Sequence, residues 1–146
     1  MLSEVREKFF SAFKNWVSSL FKKKPDNARA RRGRLGERKA AEFLKRKGHK
    51  ILLKNWRGGG GEWDIVTKDG QCLVFVEVRA RDEKALVQGY HSLTKRKRAA
   101  FARACKAYLN LLKQRPVSHR ADVVEVRFSL DDSAEIFHYE NVKLLR

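Results

Sequence analysis

The chain has 146 residues, with 34 Lys and Arg against 17 Asp and Glu, a formal net charge of +17, and a hydrophobic fraction of 42%. The length suits one domain plus an extension, and the apolar content excludes a chain disordered throughout. The charge excess raises self-repulsion in the free protein and points to a polyanionic partner, nucleic acid first and an anionic membrane surface second. Cys72 and Cys105 each sit in an apolar pattern outside any disulfide framework, as reduced core thiols do. With no signal-peptide pattern, and no apolar run near the roughly 18 residues of a membrane span, the expected location is the cytoplasm.

Residues 1–24, MLSEVREKFFSAFKNWVSSLFKKK, are predicted as an amphipathic helix. Leu2, Val5, Phe9, Phe13, Trp16 and Leu20 recur at steps of three or four, and Phe10, Val17 and Phe21 widen the stripe. Pro25 and Asp26 end it. Its aromatics and the lysines at 22–24 resemble an interfacial membrane helix. Glu4 and Glu7 weaken attraction to anionic lipid, which favours docking on its own domain, on a second copy as a homodimer, or on a protein partner. Residues 28–34, ARARRGR, read as a basic linker. A helix follows over about 34–47, with Gly48 as its C′ residue.

Three strands are expected next: ILLKNWR (51–57), EWDIVTK (62–68) and CLVFVEVR (72–79). Asp69-Gly70 reads as a two-residue hairpin turn. The third strand is the most apolar and is expected at the centre. A long helix over about 94–114 carries a core stripe of Phe101, Ala104, Cys105, Tyr108 and Leu112. After Pro116 come ADVVEVRF (121–128) and a short AEIFHYE (134–140). The order α-β-β-β-α-β-β over residues 28–146 predicts an α/β (α+β mixed) domain, with helices packed on a mixed sheet.

Charges in the second and third strands need a reason. Alternation puts Glu62, Asp64 and Val66 on one face, and Leu73, Phe75, Glu77 and Arg79 on one face of the next strand. A hairpin closed at Asp69-Gly70 pairs positions whose numbers sum to about 139. Asp64 then lies near residue 75 and Glu62 opposite Glu77, and a one-residue bulge or a bend would bring Asp64 to Glu77. Adjacent carboxylates repel unless a cation such as Mg²⁺ reverses the sign. The bland alternative is a Glu77–Arg79 or Glu62–Arg79 surface ion pair, which contributes only about 0–1 kcal/mol.

Two features of the helices add to this. Glu37, Ala40, Ala41 and Leu44 fall at i, i+3, i+4 and i+7, so Glu37 lies on the buried stripe, where a carboxylate needs a partner, a cation or a proton. Its bland alternative is a first-turn glutamate that favours the helix N-terminus. The run TKRKR (94–98) opens the second helix with four cations where the macrodipole disfavours them, whereas a phosphate there would be favoured. Lys95 is the first candidate for a phosphate contact, with Arg81, Arg96, Lys97 and Arg98 behind it.

The segments GRLGERKAAEFLKRKGHKILLKNWR, GGGEWDIVTKDGQCLVFVEVRAR, TKRKRAAFARACKAYL and HRADVVEV, in that order over about residues 33–142, resemble the YraN family of small proteins. That family is similar in fold to Holliday-junction resolvases and to the wider PD-(D/E)xK nuclease superfamily. The resemblance implies a restriction-endonuclease-like sheet flanked by helices. It matches Asp64 to the superfamily's aspartate, Glu77 to the acidic residue of E-x-K, and Glu37 to the helix glutamate of the resolvase-like members. The lysine of E-x-K corresponds to Arg79 here, a departure that keeps a positive charge but cannot yield a proton at working pH. The N-terminal helix lies outside the family pattern.

The implied function is Mg²⁺- or Mn²⁺-dependent hydrolysis of DNA phosphodiesters. Asp64, Glu77 and Glu37 would hold the metal with the Val78 carbonyl. Arg79 would polarise the phosphate, and Glu62 would support the site. Two rivals stand beside it: a nuclease-like fold kept for nucleic-acid binding only, which Arg79 favours, and an adaptor tethered to a membrane or partner through residues 1–24.

Overall fold

The computed structural model describes residues 27–84 and 93–144. The predicted amphipathic helix over 1–24, with its membrane, partner and self-association roles, lies outside the described residues. The elements are α1 (Ala28–Arg46), β1 (Lys50–Gly58), β2 (Gly61–Asp69), β3 (Cys72–Asp82), α2 (Lys95–Leu111), β4 (Ser118–Phe128) and β5 (Ala134–Tyr139). This is the mixed α/β order expected.

ARARRGR is not a linker but the opening of α1. Asn27 caps it, with the side chain accepting from the Ala30 N–H at 2.8 Å. Past such a cap, Ala and Arg are good helix formers, so nothing in the segment delays the helix. At the other end Gly48 adopts φ +94, and the N–H groups of Gly48 and His49 donate to the carbonyls of Lys45 and Leu44, both at 3.0 Å. That is the Schellman arrangement expected of a C′ glycine. α2 is shorter than the predicted 94–114. Thr94 caps it, its hydroxyl accepting from the Lys97 N–H at 3.2 Å. Its buried residues are Phe101, Ala104, Cys105, Tyr108 and Leu109, while Leu112 falls past the helix end and packs only partly.

The strands form one sheet in the order β1-β2-β3-β4-β5. β3 is central, as its apolar sequence predicts. Its pairing with β4 is parallel, and the other three pairings are antiparallel. α2 closes the crossover between β3 and β4, as a parallel pair requires. Alternate residues of the sheet feed two cores. Leu73, Phe75, Ala121 and Val123 pack with Trp63 and the α2 stripe. Val74, Val76, Val124 and Val126 pack with Ala40, Ala41 and Leu44 of α1. Among the described residues each face is thus covered by one helix. Among the described residues no helix is long and apolar enough to cross a membrane.

A buried polar network ties the α1 face to the C-terminal end of that helix. Asp122 is fully buried and accepts from Arg120 Nε at 3.0 Å, His138 Nε2 at 2.9 Å and the Asn141 N–H at 2.9 Å. His49 and Thr67, both buried, share a hydrogen bond of 2.9 Å. These contacts satisfy groups that would otherwise be costly to bury.

A carboxylate pair at a fork in the sheet

The ladders around β3 do not end together. β1 and β2 stay paired to Gly58 and Gly61, and β3 and β4 to Asp82 and Phe128, but β2 and β3 part after Ile65 and Val76. The sheet forks at that point. The hairpin closes on Gly70, at φ +55, and Gln71, so Asp69 pairs with Cys72. This corrects the expected turn at Asp69-Gly70 by one residue and the register by two positions. In the observed register the residues just past the last pair are Asp64 and Glu77, so no added bulge is needed between these two strands.

Strict alternation also fails in β1 and β2. Asn55 has φ +52 and lies between the pairs Lys54–Ile65 and Trp56–Trp63. Leu53 and Trp56, three apart, both pack on the α2-side core, as do Trp63 and Val66. The strands therefore switch faces beside Asp64 with the register unbroken there; the register shift of this pair lies between Ile51 and Leu53. Glu62 does not share the face of Val66 as expected, nor does it oppose Glu77. It is paired across the strand with Arg57 at 2.9 Å and is 56% exposed. Of the two ion pairs weighed as the bland alternative, Glu62–Arg79 is replaced, whereas Glu77–Arg79 is present at 3.5 Å.

At the fork, Asp64 Oδ2 accepts from the Val78 N–H at 2.7 Å, filling a ladder position that β2 has vacated. Burial of the carboxyl and the charge of Glu77 push the Asp64 pKa well above the usual carboxylate range; the Val78 N–H pulls it down, and Glu37 pushes it up. Of the four acidic residues named from the sequence, Glu37 and Glu77 thus lie within electrostatic reach of Asp64, and Glu62 does not figure among them. Glu37 is half-buried on α1, nine residues from its start, and α1 has no acid in its first turn, so the helix-start explanation of Glu37 fails. Gly36 makes the approach possible: a Cβ there would stand 2.7 Å from the Ala80 Cβ.

Glu77 is buried, with its side chain only 6% exposed, and two cations serve it. Lys97 Nζ lies 2.5 Å from Oε1 and Arg79 Nη1 at 3.5 Å. The run at 94–98 is therefore divided. Lys95 and Arg96 are exposed, Lys97 turns to Glu77, and Arg98 is half-buried, its Nε enclosed without a hydrogen-bond partner among the described residues. Sequence reasoning counted Lys97 among the phosphate contacts and missed its inward role. The signal was present, since Lys97 is four residues before Phe101 and so on the apolar stripe of α2; its ammonium lies 5.2 Å from the Phe101 ring.

Two cavities flank the pair. One, of about 630 Å³, is lined by the glycines of the β1–β2 turn, Glu62, Lys97 and Phe101. The other, of about 710 Å³, is lined by Val78, Arg79 and Arg81 of β3 and by the start of α1. Among the described residues no three His, Cys, Asp or Glu are grouped to hold an ion by themselves. In this geometry Asp64 and Glu77 are the two carboxylates that could hold a cation together, and Glu37 adds charge beside them. Such a pair suits Mg²⁺, which commonly binds one or two carboxylates, keeps several waters and takes further oxygens from substrate phosphates.

The fold and site together define a mixed α/β protein with, among the described residues, one helix on each sheet face and a carboxylate pair in a sheet fork. The matching family model, described as "Uncharacterised protein family UPF0102", covers residues 36–126, and the chain belongs to that family. It is 43% identical over 83 residues to a UPF0102 protein of Nitratidesulfovibrio vulgaris (strain DP4), covering 57% of this chain and 62% of that protein, under two thirds of its length. It is 34% identical over 110 residues to the UPF0102 protein of Carboxydothermus hydrogenoformans, covering 75% of this chain and 92% of the relative. With the UPF0102 protein of Desulfosudis oleivorans it shares 40% identity over 110 residues, 75% and 89% of the two chains.

Proposed function

We propose that this protein is a metal-dependent nuclease acting on DNA through Asp64 and Glu77. The observation that carries the reading is the like-charge pair itself, with the Asp64 carboxyl held toward its protonated form by burial and by Glu77. Two carboxylates brought together repel, and the ion pairs of Lys97 and Arg79 are with Glu77, so a cation shared by both acids would relieve Asp64 as well. The net charge of +17 suits a polyanionic substrate.

When bound, Mg²⁺ or Mn²⁺ would polarise the attacked phosphate and acidify a coordinated water. Asp64, oriented by the Val78 N–H, and Glu77 would hold the ion, with the Val78 carbonyl as the further ligand. Arg79 would meet the phosphate as a fixed positive charge and not as a base. Lys97 is paired with Glu77, and with a cation on that carboxylate it would be available to meet the phosphate from the cavity it lines. Arg81, Lys95, Arg96 and Arg98 would position the backbone. The test is cleavage of a panel of DNA substrates with Mg²⁺ or Mn²⁺. The wild type should cleave, Asp64→Ala and Glu77→Ala should abolish turnover, and Arg79→Lys should raise it. No cleavage by the wild type, or undiminished cleavage by the two alanine variants, would sink the reading.

The Lys97–Glu77 pair and the arginine at position 79 favour a second reading, a nuclease-like fold that binds nucleic acid without turnover. It predicts salt-sensitive binding by every variant above and cleavage by none. An adaptor role for residues 1–24 is tested by liposome co-sedimentation with and without that segment, and equal sedimentation removes its membrane version.

A further inference from the structure

The 710 Å³ cavity has a composition that the carboxylate chemistry does not require. Arg29 and Arg32 line it from the start of α1, and Arg79 and Arg81 from the end of β3; Asp82 is the one acid among the described lining residues. Arg32 is held in the wall by Asp82 at 3.1 Å and Asp132 at 2.8 Å, while Arg29 is exposed. The first turn of α1 is basic and has no acid, although the peptide dipoles there oppose cations and favour anions. The β3 wall is the stretch that β2 has left: the Val78 N–H faces that side, and the two-residue period of a strand turns the Ala80 N–H the same way.

We infer that this cavity binds the phosphodiester backbone of one nucleic-acid strand beside the carboxylate pair, with Arg29 and Arg32 as phosphate contacts; the inference rests on the nuclease reading above. Guanidinium forks match phosphate oxygens in pairs. The volume falls within the roughly 300–1,000 Å³ of pockets that enclose small ligands. It therefore suits a nucleotide or two of a single strand, whereas a duplex, with a major groove alone about 12 Å wide, stays outside. Both arginines precede residue 36, where the family match begins, so the contact belongs to this chain beyond the matched core.

The test uses the full chain in EDTA, so that no cleavage occurs, and a labelled single-stranded oligonucleotide of about 20 residues titrated across a NaCl series. Each lost phosphate contact on a single strand should make the slope of log K against log salt shallower by about 0.7. Arg29→Gln with Arg32→Gln should therefore lose about 1.4 from the slope. Arg29→Gln alone, which leaves the Arg32 ion pairs intact, should lose about half of that. Lys50→Gln with Lys54→Gln removes equal charge from the exposed face of β1 and should change the slope less. Slopes of the arginine variants no shallower than that control would overturn the inference, as would an equal loss on a duplex of the same sequence. If the wild type keeps its salt-sensitive binding while Arg29→Gln changes nothing, the cavity assignment falls and the nuclease reading stands. A wild type with no salt-sensitive binding sinks both.

Discussion

Asp64 and Asp122 are both acids drawn into the fold, and their surroundings move them in opposite directions. Burial and Glu77 raise the Asp64 pKa, so the folded state binds that proton more tightly than the unfolded chain does. Stability then falls as pH rises from the ordinary carboxylate range toward the raised folded value. Asp64→Asn keeps an acceptor for the Val78 N–H and drops the charge. Without divalent cations it should be more stable than wild type at pH 7, with an advantage that shrinks toward about pH 4. Urea midpoints at the two pH values measure this, and coincident midpoints at pH 7 would contradict it. For Asp122, burial raises the pKa, but His138, Arg120 and the Asn141 N–H outweigh burial and leave it lowered. That contribution is present above the ordinary carboxylate pKa and lost as pH falls through the folded value. Asp122→Ala removes the buried carboxylate that Arg120, His138 and the Asn141 N–H share, leaves Arg120 with Asp69 and Glu140, and should cost about 3 kcal/mol at pH 7 by denaturant titration, with a flatter acid limb.

At the level of elements, the site depends on how closely α1 lies on β3. Gly36 is buried against Ala80, and the next residue, Glu37, comes within electrostatic reach of Asp64. Replacing a mid-helix glycine by alanine ordinarily stabilises by about 0.5–1 kcal/mol. Here the added methyl meets the Ala80 side chain, so Gly36→Ala should instead destabilise by about 1–3 kcal/mol. Equilibrium unfolding decides the sign. A gain in stability would show that the helix can lift from the strand at little cost. The same contact sets where the α1 arginines fall relative to the β3 edge, so this variant should also weaken binding in the EDTA titration.

Across the whole molecule, the two cores hold one sheet against a net charge of +17. Much of that charge lies on exposed Lys and Arg, where self-repulsion is screened by salt. Raising NaCl from about 10 mM to about 150 mM, which shortens the screening length from ~30 Å to ~8 Å, should raise the thermal midpoint while weakening nucleic-acid affinity. A midpoint that falls over this range would show that specific ion pairs outweigh the general repulsion. Mg²⁺ at fixed ionic strength should stabilise the wild type further, by about 2.7 kcal/mol at a hundredfold excess over its dissociation constant, and should lose that effect in Asp64→Asn.

By itself the sequence determined the elements and the central place of β3, because apolar periodicity, a C′ glycine and turn residues are local signals. It also marked Asp64, Glu77 and Glu37 as charges out of place. Three things were decided only in three dimensions. The hairpin register moved by two positions because the turn closes on Gly70 and Gln71, a choice that depends on pairing along the whole ladder. The face switch beside Asn55 separated Glu62 from the face of Val66, because a single positive φ breaks a two-residue period that sequence reading takes as unbroken. Lys97 took its place at the fork, where β2 leaves β3 and its ammonium meets Glu77, and the first arginines of α1 came to line a cavity with Val78 and Arg79 of β3. Local pattern carries the strands and helices; the site arises where the strands part.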